Sequence, residues 1–174
     1  PDTTPANTAR PYDDLSRYGG GFGNLIDAAP YSFEHYIAGQ SRIRWACCGI
    51  ISTPENITRW GYELYSVRGS AISGMSRSVL LNSLSEAPVS FQGSMQHYGY
   101  FVAKRMFTLP DGSEVTAYGH PGGGGGYSSL LRYSPDLDLA VSVLANSPLK
   151  FQGSCGDYAP RECIAAAIFG AYRQ

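Results

Sequence analysis

No apolar run among the 174 residues approaches the roughly 20 that a membrane-spanning helix needs. Charge is sparse as well: charged residues make up 16% of the chain and the formal net charge is -1. That balance offers no electrostatic footprint for nucleic acid or an acidic membrane surface. The three histidines show no pair at helical spacing, and there is no Cys-x-x-Cys, so a metal site is not expected. The chain lacks the Gly-Lys-Ser/Thr of a phosphate loop, a spaced dinucleotide fingerprint, and the Gly-x-Ser-x-Gly of a nucleophile elbow. No cofactor is called for. What remains is 43% hydrophobic, enough for one globular domain with a real core. The chain opens on Pro1 rather than methionine, which reads as a processed chain or a fragment.

Glycine, by contrast, is concentrated in one place. Tyr118-Gly119-His120-Pro121-Gly122-Gly123-Gly124-Gly125-Gly126-Tyr127-Ser128-Ser129 sets five consecutive glycines behind a histidine, with strand-like runs on either side. Glycine permits positive φ and close approach of a ligand to the backbone. A titratable ring at the mouth of such a loop is the best candidate site in the chain. The bland alternative is a hairpin connection with His120 as a structural residue. His35 and His97 read as structural or surface residues.

The remaining elements follow from spacing. Residues 1–44 are rich in Pro, Gly, Asp and Tyr and read as an extended or loop-rich arm. Ser52-Thr53-Pro54-Glu55 is a helix start, with Ser52 as cap and Glu55 closing a capping box. Ile57, Trp60, Leu64 and Tyr65 then fall on one face, and Gly69-Ser70 marks the end. A second helix is expected over 76–84, so the helical segment spans 53–84. Strands are expected over 98–107, 113–118, 127–133 and 139–145, the last apolar enough to be buried on both faces. Pro110-Asp111-Gly112 and Ser134-Pro135-Asp136 supply the turns. A helix over 160–172 closes the chain, with Ile164, Ala167, Ile168 and Ala171 as its apolar stripe. The fold class is α+β: an antiparallel meander within 98–146, a packed C-terminal helix and a helical segment before it.

Cys155 and Cys163 bracket a short loop and are the candidate disulfide; the pairing of the adjacent Cys47 and Cys48 stays open. Asn56-Ile57-Thr58 is a glycosylation sequon, making Asn56 the candidate acceptor. Together these favour a secreted or extracytoplasmic protein.

Two blocks resemble the serine β-lactamase and penicillin-binding-protein superfamily, in the branch of class C β-lactamases, D-amino-acid peptidases and related esterases. Cys48-Gly49-Ile50-Ile51-Ser52-Thr53-Pro54-Glu55-Asn56-Ile57 is similar to its Gly-Gly-Leu-x-Ser-Thr-x-x-Asp-Leu block. Tyr98-Gly99-Tyr100-Phe101-Val102, His120-Pro121-Gly122, Gly126-Tyr127-Ser128-Ser129 and the run 139–146 resemble its later motifs in order and spacing. The resemblance covers about 45–172 and implies a β-lactamase-like C-terminal portion over 45–174. It implies acyl transfer on amide, peptide or ester substrates, with His120 facing the substrate and Gly123 offering an oxyanion N–H. Gly122, Gly124 and Tyr127 would line the substrate.

The chain departs from the family pattern in what it omits. Tyr-x-Asn and Ser-x-Asn are absent, and the only Ser-x-x-Lys is Ser147-Pro148-Leu149-Lys150, placed after the last strand where the family has a loop. Pro121 stands where threonine or glycine is common. The isolated chain is therefore expected to be inactive. The expectations are a cleaved hydrolase whose partner chain carries the nucleophile, a non-catalytic structural or binding subunit of the same descent, or an unrelated secreted α+β binding domain.

Overall fold

A computed structural model describes residues 9–10, 12–13, 26–27, 50–91, 94–124, 126–147 and 159–173. The chain divides into two compact units. One comprises residues 1–52, 123–128 and 144–152, the other 53–122, 129–143 and 153–174. In the first, two short strands, β1 (Tyr12–Asp13) and β2 (Ile26–Asp27), pair antiparallel, where the sequence reads as loop.

The second unit carries the helices. α1 (Pro54–Tyr65) begins one residue later than its sequence signal: Thr53, not Ser52, is the cap, and its Oγ1 accepts from the Asn56 N–H at 3.2 Å. The reason is Pro54, which holds the preceding residue extended and so makes it the N-cap. The helix stops at Tyr65, before Gly69, because Ser66 turns to an extended conformation. α2 (Gly74–Asn82) starts ahead of residue 76 because Ser73 caps it, accepting from the Ser76 N–H at 3.1 Å. Buried Arg77 donates to the carbonyls of Leu64, Gly69 and Ile72, so one side chain holds the α1–α2 connection.

Six strands form an antiparallel sheet in sequence order: β3 (Val89–Phe91), β4 (Ser94–Tyr98), β5 (Ala103–Thr108), β6 (Glu114–Gly124), β7 (Tyr127–Ser134) and β8 (Leu139–Ala145). The expected single strand 98–107 is broken by a corner at 99–102, and its remainder, 103–107, is strand. Tyr98 ends β4, the Gly99 N–H bonds the Val102 carbonyl at 2.9 Å, and Phe101 sits at φ 53. β5 then returns, with Tyr98 opposite Ala103. The glycine block is likewise mostly strand, since β6 runs to Gly124 and β7 resumes at Tyr127. Ladder bonds use only the backbone, so glycine does not prevent them.

Each face of the sheet has its own core. α3 (Pro160–Arg173) covers one face through Ala165, Ala166 and Phe169 against Phe107, Val115, Leu130 and Val141. α1, α2 and the segment just after α2 cover the other through Tyr65, Leu80 and Leu84 with Val102, Leu131, Tyr133 and Ala140. The expected stripe of α3 is therefore on the wrong side: Ile164 is 46% and Ile168 40% exposed, and Ala167 and Ala171 are exposed too. Both faces of this helix are apolar at helical spacing. The buried one is chosen by the bulk of Phe169, the small residues that let the helix close on the sheet, and Glu162. On α1, Trp60 is also turned out, at 55% exposed. Gly61 takes the inward place, where a Cβ would meet Leu131 Cδ1 at 2.4 Å.

Cys163 lies in the first turn of α3 and is disulfide-bonded. Its expected partner Cys155 lies outside the described residues, as do Cys47, Cys48 and His35. Asn56 is exposed in the first turn of α1. Among the described residues no helix is long and apolar enough to cross a membrane.

Candidate functional site

The last register pair between β5 and β6 is Ala103 with Gly119, yet β6 continues to Gly124. His120 is thus the first residue of β6 beyond the β5 ladder. Gly119 makes this course possible. Its φ is +152, and a Cβ there would stand 2.0 Å from the Leu131 carbonyl oxygen on β7. The same close approach recurs at Gly122, where a Cβ would meet Ser129 Oγ at 2.3 Å. Only glycine lets the histidine strand lie this close to its neighbour.

The His120 ring is half-buried beside fully buried Pro121. Its Nδ1 lies 2.5 Å from the Pro121 carbonyl oxygen, and its Nε2 lies 2.8 Å from the Tyr98 hydroxyl. Phe91 completes the group, stacking on Tyr98 at 4.5 Å between centroids and meeting the His120 ring edge-on at 5.3 Å. Burial pushes the His120 pKa below the ordinary imidazole value. The bond to Pro121 opposes this and the Arg132 charge adds to it. The ring is therefore neutral at pH 7. Burial also raises the Tyr98 phenol, so that group stays protonated.

Gly122 is fixed from the α3 side, where Arg161 Nη1 donates to its carbonyl at 2.9 Å. A trans peptide sets its N–H opposite its C=O, so the N–H of residue 123 is directed away from Arg161. Beneath this, on the α3 face of the sheet, lies a buried charge cluster. Glu162 takes Arg105 with one oxygen and Arg132 Nη2 with the other, the latter at 3.3 Å, while Arg132 Nη2 also reaches Gln96 Oε1 at 3.2 Å. Burial, and then the nearby Arg105 charge, hold Arg132 down to about 9. Among the described residues no group of three or more His, Cys, Asp or Glu could hold a metal ion.

The sequence model of the family described as Beta-lactamase matches residues 1–161. This chain belongs to the β-lactamase family. The match begins at residue 1, so it takes in the Pro- and Gly-rich arm that the motif resemblance left out. No curated protein and no solved structure matches the chain.

Of the residues singled out in this β-lactamase-family chain, His120 and Gly122 lie in the second unit with Tyr98 and Arg161. Gly123, Gly124 and Tyr127 belong to the first unit. Gly123 is exposed, and the Tyr127 hydroxyl donates to the Ala9 carbonyl at 2.7 Å, within that unit. Ser147 follows β8, and 148–150 lie outside the described residues. His97 behaves as expected of a structural histidine, its Nδ1 2.8 Å from the Ser85 carbonyl oxygen. Sequence reasoning missed the parts played by Tyr98, Phe91 and Arg161. Tyr98 stands in a motif, but nothing in its spacing says that its hydroxyl meets His120 22 residues on. Arg161 carries no local signal at all.

Proposed function

We propose that this chain is part of a β-lactamase-related serine hydrolase that transfers acyl groups from amide, peptide or ester substrates, its nucleophile supplied from outside these 174 residues. The observation that carries this reading is the His120-Pro121-Gly122 segment of β6, which runs past the β5 ladder with its Gly122 carbonyl anchored by Arg161. That anchoring leaves the following N–H directed the other way, as a donor to a developing oxyanion must be. Such donors are worth roughly 10²–10³-fold each in acyl transfer. A second chain bearing Ser-x-x-Lys is the proposed partner. A secreted location, glycosylation at Asn56 and a Cys155–Cys163 disulfide belong to the same proposal.

One observation favours a non-catalytic binding subunit instead. Both His120 nitrogens are engaged within the chain, leaving neither for a substrate. A single experiment separates the two. Native material is examined by intact mass and peptide sequencing for a second chain, and the recombinant chain is incubated with a labelled β-lactam with and without it. Serine labelling only with the second chain present supports the hydrolase. No labelling in either case, with no second chain in native material, supports the binding subunit. A stoichiometric adduct on Ser147 of the isolated chain would overturn both.

A further inference from the structure

The Tyr98–His120 contact has a direction. A carbonyl oxygen only accepts, so the 2.5 Å contact to Pro121 places the ring proton of His120 on Nδ1. In the neutral ring Nε2 is then a bare acceptor, and the Tyr98 hydroxyl 2.8 Å away is the donor. A hydroxyl that donates to a basic nitrogen, with that base held in one tautomer by a third group, is the arrangement that activates weak nucleophiles. Here the three groups are Tyr98 on β4, His120 on β6 and the Pro121 carbonyl. Phe91 on β3 holds both rings, stacked on one and edge-on to the other.

We propose that Tyr98 is an acyl-acceptor nucleophile of this chain, with His120 as its general base and the Pro121 carbonyl fixing the tautomer of that base. The acyl donor is a small activated ester. The phenol oxygen of Tyr98 forms a bond to the acyl carbon as its proton passes to His120 Nε2. The carbonyl electron pair moves to oxygen and returns as the alkoxide or phenolate leaves, taking the proton from His120. The product is an O-acyl tyrosine, formed once per chain. This goes beyond the two-chain hydrolase reading, because it needs no serine, no lysine and no second chain.

Two features support the assignment. Burial keeps His120 unprotonated near neutrality, so the base is available there. Burial also raises the phenol, so unassisted phenolate is scarcer at Tyr98 than at an exposed tyrosine. Excess reactivity at neutral pH must then come from the base. The other groups bearing on the pair are Arg132 on β7, whose charge favours neutral His120, and Tyr65 on α1, itself pushed up to about 12 and so uncharged.

The test is acetylation of the purified chain by p-nitrophenyl acetate, read by peptide mapping as a rate at each tyrosine across pH 5–10. The rate at Tyr98 should rise as His120 loses its proton and then stay flat to about pH 9, whereas the rate at Tyr100, 67% exposed, should keep climbing across the whole range. His120→Gln should lower the pH 7 rate at Tyr98 by about 10²-fold, the lower end of general-base assistance. Tyr98→Phe should remove that adduct and leave Tyr100 unchanged. Nitrogen NMR of the unmodified chain should show the His120 proton on Nδ1. A proton on Nε2, no adduct at Tyr98, or a Tyr98 profile parallel to that of Tyr100 would each overturn the proposal. If His120→Gln fails to fold, the wild-type pH profile and the tautomer decide alone. Absence of a second chain in native material sinks the two-chain hydrolase and leaves these outcomes untouched.

Discussion

Replacing Glu162 by glutamine tests what holds the α3 face of the sheet. The Glu162 side chain is 4% exposed and the Arg132 side chain 0%. The carboxylate faces both Arg132 and Arg105. Burial, ahead of the nearby Arg105 charge, holds Arg132 at about 9 against its usual 12.5. The gap, 12.5 less 9, corresponds to a cost on the order of 5 kcal/mol for keeping the guanidinium charged in this position. Arg132 Nε and Nη1 have no hydrogen-bond partner among the described residues, which adds to that cost. Removing the carboxylate leaves the buried charge less compensated, and breaking one side of such a pair costs about 3–5 kcal/mol. With a urea m-value of ~2 kcal/mol/M, the denaturation midpoint should fall by about 1.5–2.5 M. Arg132→Met should be milder. It removes the costly charge and leaves Glu162 paired with Arg105. Its penalty is the donor lost to buried Gln96 Oε1, about 1–3 kcal/mol. Urea unfolding followed by tryptophan fluorescence measures both. A Glu162→Gln midpoint within about 0.5 M of wild type, or a larger loss for Arg132→Met, would refute the electrostatic account.

Thr53→Ala should cost about 1 kcal/mol in thermal unfolding through the lost cap, and Ser52→Ala next to nothing. Phe169→Ala should cost about 3–5 kcal/mol, whereas Ile164→Ser on the outer face of α3 should stay within about 0.5 kcal/mol; equal effects would mean that the helix is turned the other way. For pH, His120 binds its proton less readily folded than unfolded. Its contribution is present above the unfolded value near 6.5 and is lost as pH falls through that value towards the lower folded one. Wild type should therefore lose more urea midpoint between pH 7 and pH 5 than His120→Gln does, and identical losses would show that the ring is not held neutral.

The elements best read from the sequence are those with strong local chemistry. Pro54 with its preceding hydroxyl residues fixed the start of α1 to within one residue, because proline dictates its own φ and constrains its neighbour. The four-residue turn at 135–138 could connect only antiparallel strands, and β7 and β8 are neighbours on that basis. The two strands β3 and β4 were not legible. They are short, and their pairing depends on partners rather than on alternation. The glycine block was misread as loop because composition reports what a backbone permits, not which ladder it joins.

By itself, then, the sequence determined the family and the α+β class. Local rules and motif order suffice for these, since each is written in residues close together along the chain. Only the tertiary structure decided which face of α3 is buried, because two apolar stripes compete and the sheet, not the helix, selects between them. The partners of His120 were decided in the same way. Tyr98 and Phe91 reach it across the sheet, and Arg161 reaches Gly122 from α3. Those contacts are set by strand register and helix docking, which no local spacing encodes.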